Sequence, residues 1–333
     1  MIPDVSPVMS TEDNTGGTYS RLPKLDIIFV NRNSGLLLRH ALESLEKAST
    51  DGFELRLVSV IDDCSTDGSA DSLIGMALPL RVVKNQRRLG YGSSCNVGAK
   101  GSEADYLLFL NTDICVAPDS LSVPIAYMQN RDNGRVGIIG IKLVDKSGEI
   151  NRCCARFPKP STFLVYMLGL NLLFPGRFRG HLMREWDHLA TREVDQVMGA
   201  FMLMRRPLFD SIGGYDESFF VYMEDLDLTL RARTLGVRSV YLAEVSACHL
   251  GGVTAAKAPA ESLFFNIRSR TQYGFKHFGA TVGALLAIGA FVVEPVSRLI
   301  YGLIAPTRYS TRDRIQAYRM LWGWLLSRRG DRT

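Results

Sequence analysis

The stretch Leu25–Gly68, LDIIFVNRNSGLLLRHALESLEKASTDGFELRLVSVIDDCSTDG, holds two buried strands, a helix and two polar loops. Leu25–Val30 is an apolar run ending in Asn31-Arg32-Asn33-Ser34-Gly35. Leu55–Ile61 is a second such run, ending in Asp62-Asp63-Cys64-Ser65-Thr66-Asp67-Gly68. Between them, Leu36–Ala48 has helical periodicity. The alternation continues outward. Leu80–Val83 is a short third strand, and Gly90-Tyr91-Gly92-Ser93-Ser94-Cys95-Asn96 a small-residue loop opening a helix. Tyr106–Leu110 is a fourth strand, closed by Asn111-Thr112-Asp113. Strands alternating with helices imply βαβ units, hence an α/β fold with a mostly parallel central sheet flanked by helices.

Polar residues gather after strands one, two and four, at Asn31/Asn33, Asp62/Asp63 and Asn111/Asp113. Open parallel sheets bind ligands just outside those strand ends. Turn chemistry rich in Asn, Asp and Gly explains any one loop. All three on one edge point to a ligand crevice.

A second informative stretch is Met198–Arg231, MGAFMLMRRPLFDSIGGYDESFFVYMEDLDLTLR. Aromatics lead straight into Glu224, Asp225 and Asp227. Two readings stand: a partly buried acidic site at a helix start, or a helix cap with a solvated acidic face. Leu226–Leu235 reads as a helix stopped by Gly236, and Val237–Leu242 as a strand before the loop carrying His249. Asp227 and Arg231 are spaced for an i,i+4 pair, a structural role. Asn111-Thr112-Asp113 offers oxygens suited to Mg²⁺ or Mn²⁺ on a diphosphate. A nitrogen ligand from His249 would favour Mn²⁺, although a lone His is more often a structural hydrogen-bonder. Residues 151–195, rich in proline and aromatics, read as a variable acceptor-facing insertion.

The chain of 333 residues is 46% hydrophobic and 22% charged, a globular composition with a substantial core. Its net charge is +5, with arginines gathered late, at Arg312, Arg314, Arg319, Arg328, Arg329 and Arg332. They interleave with Leu321, Trp322, Trp324, Leu325 and Leu326, an amphipathic basic tail suited to an anionic membrane surface. No nucleic-acid-binding motif accompanies it, so nucleic acid is not the expected partner. Six cysteines show neither metal spacing nor a disulfide framework, which fits a reduced cytosolic compartment. Residues 1–23 read as a flexible leader without the features of a signal peptide. The apolar run Ala280–Val293 is short for a spanning helix, so 280–333 is expected to lie on the membrane as a helical region. A spanning helix, and simple packing against the preceding domain, are the alternatives.

Seven motifs in order, FVNRNSG, VIDDCSTDGS, RRLGYGSSCNVG, FLNTDICV, MGAFMLMRR, GGYDESFFVYMEDLDLTLR and CHLGG, closely resemble family 2 inverting glycosyltransferases of the GT-A fold. The subgroup most similar is the bacterial rhamnosyltransferase-like enzymes of cell-surface polysaccharide assembly. The resemblance covers about Leu25–Gly279, which implies a catalytic domain over residues 24–279. By that resemblance Asn31 and Asn33 lie beside the nucleotide, and Asp62 and Asp63 face its base and ribose. Gly90, Tyr91, Gly92 and Asn96 line the sugar-diphosphate side. Asn111-Thr112-Asp113 stands where the family carries its D-x-D metal motif, with Asn in place of the first Asp. Asp113 and His249 are then the metal contacts. Glu224-Asp225 matches the family's E-D motif, whose second carboxylate is the catalytic base. Cys64 departs from the usual Asn or Gly after the acidic pair.

The resemblance further implies a nucleotide-sugar donor, dTDP-L-rhamnose by subgroup or else a UDP- or GDP-sugar. The acceptor is a lipid-linked or polysaccharide hydroxyl, reached peripherally at the cytoplasmic face of the inner membrane. Oligomeric state is left open. Two rivals are weaker. A nucleotidyltransferase would carry a glycine-rich basic loop after the first strand, where this chain has NRNSG. A non-catalytic carbohydrate-binding protein would tolerate loss of the metal carboxylate or the base, and both are present.

Overall fold

The computed structural model describes residues 21–330 except 72, 74, 175, 252–256 and 305–308. The leader up to residue 20, Gly252 of CHLGG, Arg332, and the Arg328 and Arg329 side chains lie outside the described residues. The first half runs β1 (Lys24–Asn31), α1 (Leu36–Glu46), β2 (Glu54–Asp62), β3 (Leu80–Lys84), α2 (Tyr91–Ala99), β4 (Tyr106–Asn111), β5 (Ile114–Val116), α3 (Ser122–Gln129) and β6 (Val136–Val144). Then come α4 (Pro160–Met167), α5 (Leu170–Leu173), β7 (Arg192–Val194), β8 (Phe201–Arg205), α6 (Arg206–Ser211), α7 (Glu224–Thr234) and β9 (Arg238–His249). Three helices close the chain: α8 (Pro259–Ile288), α9 (Glu294–Ile304) after a π turn, and α10 (Thr311–Gly330).

The strands form one sheet in the order β3-β2-β1-β4-β8-β6-β9-β5, with β7 on β9. From β3 to β4 every pairing is parallel, as the βαβ alternation requires. Beyond β4 the sheet is mixed: β8 runs antiparallel to both β4 and β6, whereas β6 and β9 are parallel. The reversal has a consequence for the site. It brings the start of β8 beside the end of β4, pairing Leu110 with Phe201.

Leu25, Ile27, Ile28 and Phe29 of β1 are fully buried, as expected for a central strand covered on both faces. Asp26 sits among them at 2% exposure. Its carboxylate takes Arg56 Nε at 2.9 Å and Ser102 Oγ at 2.5 Å, which offsets the cost of burying the charge.

α8 is kinked at Gly279 (φ 80°), the expected domain boundary. Packing nonetheless continues across it. Tyr273 before the kink and Leu286 after it share a cluster with Phe163 and Met167 of α4 and with Phe219, Met223 and Leu226. A second cluster joins Leu263 and Ile267 of α8 to Phe291 of the π turn and to Ala317 and Leu321 of α10. α10 therefore differs from the expected amphipathic tail. Ala317, Tyr318, Leu321 and Arg314 are buried against the protein, while Trp322 and Leu326 stay exposed.

Candidate active site

Two loops after β1 and β2 are zipped together by side chains. Asn31, fully buried, donates from Nδ2 to Asp62 Oδ1 (2.7 Å), Ser65 Oγ (3.1 Å) and Ser69 Oγ (2.9 Å). Asn33 Oδ1 accepts from Thr66 N at 2.8 Å, and Asp67 Oδ2 from Gly35 N at 2.9 Å. Asp63, 4% exposed, receives the backbone N–H groups of Leu89 (2.7 Å) and Gly90 (3.1 Å). Asn31, Asp62 and Asp63 thus tie the loops after β1 and β2 to each other and to the start of α2. A cleft of about 230 Å³ opens at this end of β2 and β3, lined by Asp62, Cys64, Ser65, Lys84 and Asn85 among others. None of the acidic residues at the start of α7 lines it.

The glycine-rich start of α2 serves the segment before the acids. Gly90 (φ 85°) lies so close to the Phe220 carbonyl that any side chain there would overlap it, and Tyr91 N donates to that oxygen at 2.8 Å. Asn96 uses both ends of its carboxamide on this segment: Nδ2 donates to Tyr215 O (2.9 Å) and Glu217 Oε1 (3.1 Å), and Oδ1 accepts from Tyr215 N (2.9 Å). Gly92 admits Tyr215 and Glu224, whose Cβ atoms lie 3.1 and 3.5 Å from where its own would be. Gly90, Gly92 and Asn96 thereby hold the acidic segment in place.

α7 begins at Glu224, after two left-handed residues, Tyr222 (φ 66°) and Met223 (φ 68°). Consecutive left-handed non-glycine residues are strained and persist only where surroundings over-determine them. Here Tyr222 Oη bonds Ser262 Oγ at 2.6 Å, Ser269 Oγ donates to Val221 O at 2.7 Å, and Met223 is buried. The turn aims the two acids differently. Glu224, 6% exposed, faces α2, and burial together with the Asp225 charge pushes its pKa well up. Asp225 is partly exposed and held by three N–H donors: Gln196 Nε2 (2.8 Å) and Gly199 N (3.1 Å) on Oδ2, and Leu226 N (2.8 Å) on Oδ1. Burial raises its pKa, and those donors oppose the rise without cancelling it. The solvated acidic face is therefore excluded for Glu224 and Asp227, both buried.

Asp227 is fully buried and spent on ion pairs. Arg231 Nε (2.8 Å), Lys276 Nζ (2.6 Å) and His277 Nε2 (2.8 Å) surround it. The i,i+4 partner was legible in the sequence, whereas Lys276 and His277 reach it from α8.

Gly199 is also next to the sheet edge that carries Asn111. Asn111 N donates to Ala200 O at 2.9 Å, and Tyr91 Oη to Gly199 O at 2.9 Å. Three residues along, β5 pairs with β9 so that Ile114 opposes His249. His249 is thus the last residue of β9, not part of a loop after a shorter strand. The pairing sets His249 Nε2 3.5 Å from Asp113 Oδ1, with both side chains largely buried. His249 Nδ1 is buried with no hydrogen-bond partner among the described residues.

A family model described as Glycosyl transferase family 2 matches residues 26–213. The N-acetylglucosaminyl-diphospho-decaprenol L-rhamnosyltransferase of Mycobacterium tuberculosis is 26% identical over 72% of this chain and 80% of its own length. The rhamnosyltransferase WbbL of Escherichia coli is 32% identical over 48% of this chain and 60% of its own. Among solved structures, the mannosyltransferase PcManGT from Pyrobaculum calidifontis, in complex with GDP-Man and Mn²⁺, superposes with a TM-score of 0.50. That match is 16% identical and covers 91% of this chain and 86% of the other, a likeness of fold. The fold is GT-A, and with the family match spanning more than half of its residues, the chain belongs to glycosyltransferase family 2.

Proposed function

We propose that this glycosyltransferase moves L-rhamnose from dTDP-L-rhamnose, with inversion, to a hydroxyl of a lipid-linked or polysaccharide acceptor at the cytoplasmic face of the inner membrane. The observation that carries the catalytic part is Asp225, oriented by three N–H donors at the sheet edge that also presents Asn111 and Asp113. A carboxylate held this way keeps lone pairs for an incoming hydroxyl proton. Asp225 takes that proton as the acceptor oxygen attacks the anomeric carbon, and a single displacement inverts the centre. Glu224, buried and disfavoured as an anion, lends Asp225 little competing charge.

Asp113 and His249 fit a divalent cation. Asp113 Oδ1 and His249 Nε2 converge to 3.5 Å, an oxygen and a nitrogen donor brought together by the pairing of β5 with β9. No cluster of three or more His, Cys, Asp or Glu ligands occurs among the described residues. So sparse a set suits Mn²⁺ or Mg²⁺, which keep water and take diphosphate oxygens. Such an ion, when bound, neutralises the charge of the departing nucleoside diphosphate. Asp113→Ala is expected to abolish most of the Mn²⁺-dependent gain in dTDP affinity, on the order of 10–100-fold, and to leave metal-free binding nearly unchanged. Titration calorimetry with Mn²⁺ and with chelator checks this. Equal affinities for the parent under both conditions would remove the metal.

Two rhamnosyltransferases among the relatives support the donor, and the decaprenol of one name supports a lipid-linked acceptor. A screen of radiolabelled nucleotide sugars with membrane lipid extract tests both. Turnover confined to UDP- or GDP-sugars would refute the rhamnosyl donor and leave the family unchanged.

Gln196 enters as a positioning residue. Its amide favours the ionised form of Asp225, so Gln196→Leu raises the pKa of the base. A base is active when deprotonated, so the acidic limb of the pH–rate profile is expected to move to higher pH. An unmoved limb would detach Gln196 from the base.

A membrane-surface location draws support from the C-terminal helices. The helical stretch Pro259–Gly302, kinked at Gly279 and passing through the π turn, contains an apolar run long enough to cross a membrane. One side of that run, however, is packed within the protein, Leu286 in the cluster of α4 and Tyr273, and Ala290 and Phe291 against the start of α8 and α10. That favours lying on the bilayer over spanning it.

A further inference from the structure

We propose that the α4–α5 hairpin is the second half of a bilayer-docking face, continuous with the outward side of α8, the π turn and α9. The inference rests on the membrane-surface location proposed above and adds an element that the sequence had suggested was acceptor-facing. α4 is two-sided. Phe163 and Met167 are buried, whereas Leu164 and Leu168 are 53% and 39% exposed. After the left-handed Gly169, α5 presents Leu172, Leu173 and then Phe174, each about half exposed. The C-terminal segment is two-sided in register: Leu286, Ala290 and Glu294 face inward, and Leu285, Ile288, Val292, Val296 and Leu299 face outward. That spacing is one helical stripe.

The two apolar surfaces adjoin. Ser297 Oγ donates to Met167 O, and Gly289 passes so close to Met167 Sδ that a side chain there would clash. Contiguous exposed apolar surface of this extent marks an interaction site.

Its chemistry favours lipid over protein. Residues 280–293 contain no charge, and the acid that opens α9, Glu294, is turned inward between Arg270 (2.7 Å) and Arg298 (2.6 Å). The outward stripe is therefore aliphatic, without the polar partners a protein interface uses. Cations stand at its margin. Arg177, bonded through its N–H to Phe174 O, and Arg179 are exposed beyond α5. On the other side Trp322 meets Phe291 edge-on at 5.9 Å, with exposed Arg319 on the same helix. Aliphatic centre, Trp and Arg margin: this is the arrangement of an interfacial element on anionic lipid.

The test uses the full chain and vesicles of phosphatidylcholine containing phosphatidylglycerol. Leu172→Glu/Phe174→Glu and, separately, Leu285→Glu/Ile288→Glu are each expected to lower vesicle partition about tenfold or more, with dTDP binding unchanged as the check on folding. A hairpin variant that partitions like the parent, beside a C-terminal variant that does not, overturns the hairpin's role and keeps the membrane location. A parent that never binds these vesicles overturns both. A parent that instead self-associates, with the hairpin variant monomeric, shows that a second copy covers this face and overturns the bilayer as occupant.

Discussion

In the Asp225→Asn variant, turnover is expected to fall about 10²–10⁴-fold, the usual contribution of a positioned general base. Affinity for the nucleoside diphosphate should stay near the parent's. The substitution conserves shape, and its one remaining carbonyl oxygen can still take the Gln196 and Gly199 donors. Only the Leu226 contact is then lost, so the helix start survives. What disappears is the capacity to accept a proton. Glu224→Gln provides the contrast. Glu224 is buried against α2 and disfavoured as an anion, so an uncharged isostere should retain activity to within about tenfold. The parent's pH–rate profile carries a matching signature. Burial holds the Asp225 pKa above that of an ordinary aspartate, so the acidic limb should lie at correspondingly higher pH and vanish in Asp225→Asn. Near-parental turnover in Asp225→Asn, or a Glu224→Gln variant that is the more damaged of the two, would refute the assignment.

What made this site legible, and what hid the rest, follows from how far apart its partners lie in the chain. The first four strands end within a residue of the apolar runs that announced them, and for the central β1 and β4, buried along nearly their whole length, cover on both faces is the reason. The left-handed cap at Gly236 was equally plain (φ 76°). β9 was not. It runs on to His249, past Leu242, because β5 and the end of β6 supply partners that no local pattern reveals. Gln196 sits in an irregular segment without periodicity, and only the fold brings it to Asp225. The motif residues themselves divide by burial. Asn31, Asp62 and Asp63 are recognisable in sequence, yet most of their hydrogen-bonding capacity goes to joining loops. Their type and order mark the crevice. Which of them touches a ligand is decided by exposure, and composition carries no record of that.

The strained turn before α7 needs an external brace, and α8 provides it. Lys276 and His277 project from α8 onto Asp227, and Lys276 also pairs with Asp216 at 2.5 Å. Asp227→Asn should therefore be costly. Removing one partner from a buried charge cluster leaves the others uncompensated, a loss of about 3 kcal/mol, or roughly 4 °C in melting temperature for a chain of this length. Lys276→Ala should cost less, since Asp227 keeps Arg231 and His277. Acid should act in the same direction as Asp227→Asn. Burial by itself would raise the Asp227 pKa, but hydrogen bonds from His277 and Lys276 and the charge of Arg231 outweigh it and hold the pKa below that of an ordinary aspartate. The stabilisation is thus fully present above the unfolded pKa and is lost as pH falls through the folded one. Because the same cluster fixes the helix that carries Asp225, Asp227→Asn should also lose turnover at temperatures where it remains folded. Thermal melts and turnover measured together decide the matter. A variant that melts within about 1 °C of the parent would show that the brace contributes nothing to stability. One that is destabilised yet fully active would show that α8 stabilises the domain without positioning its base.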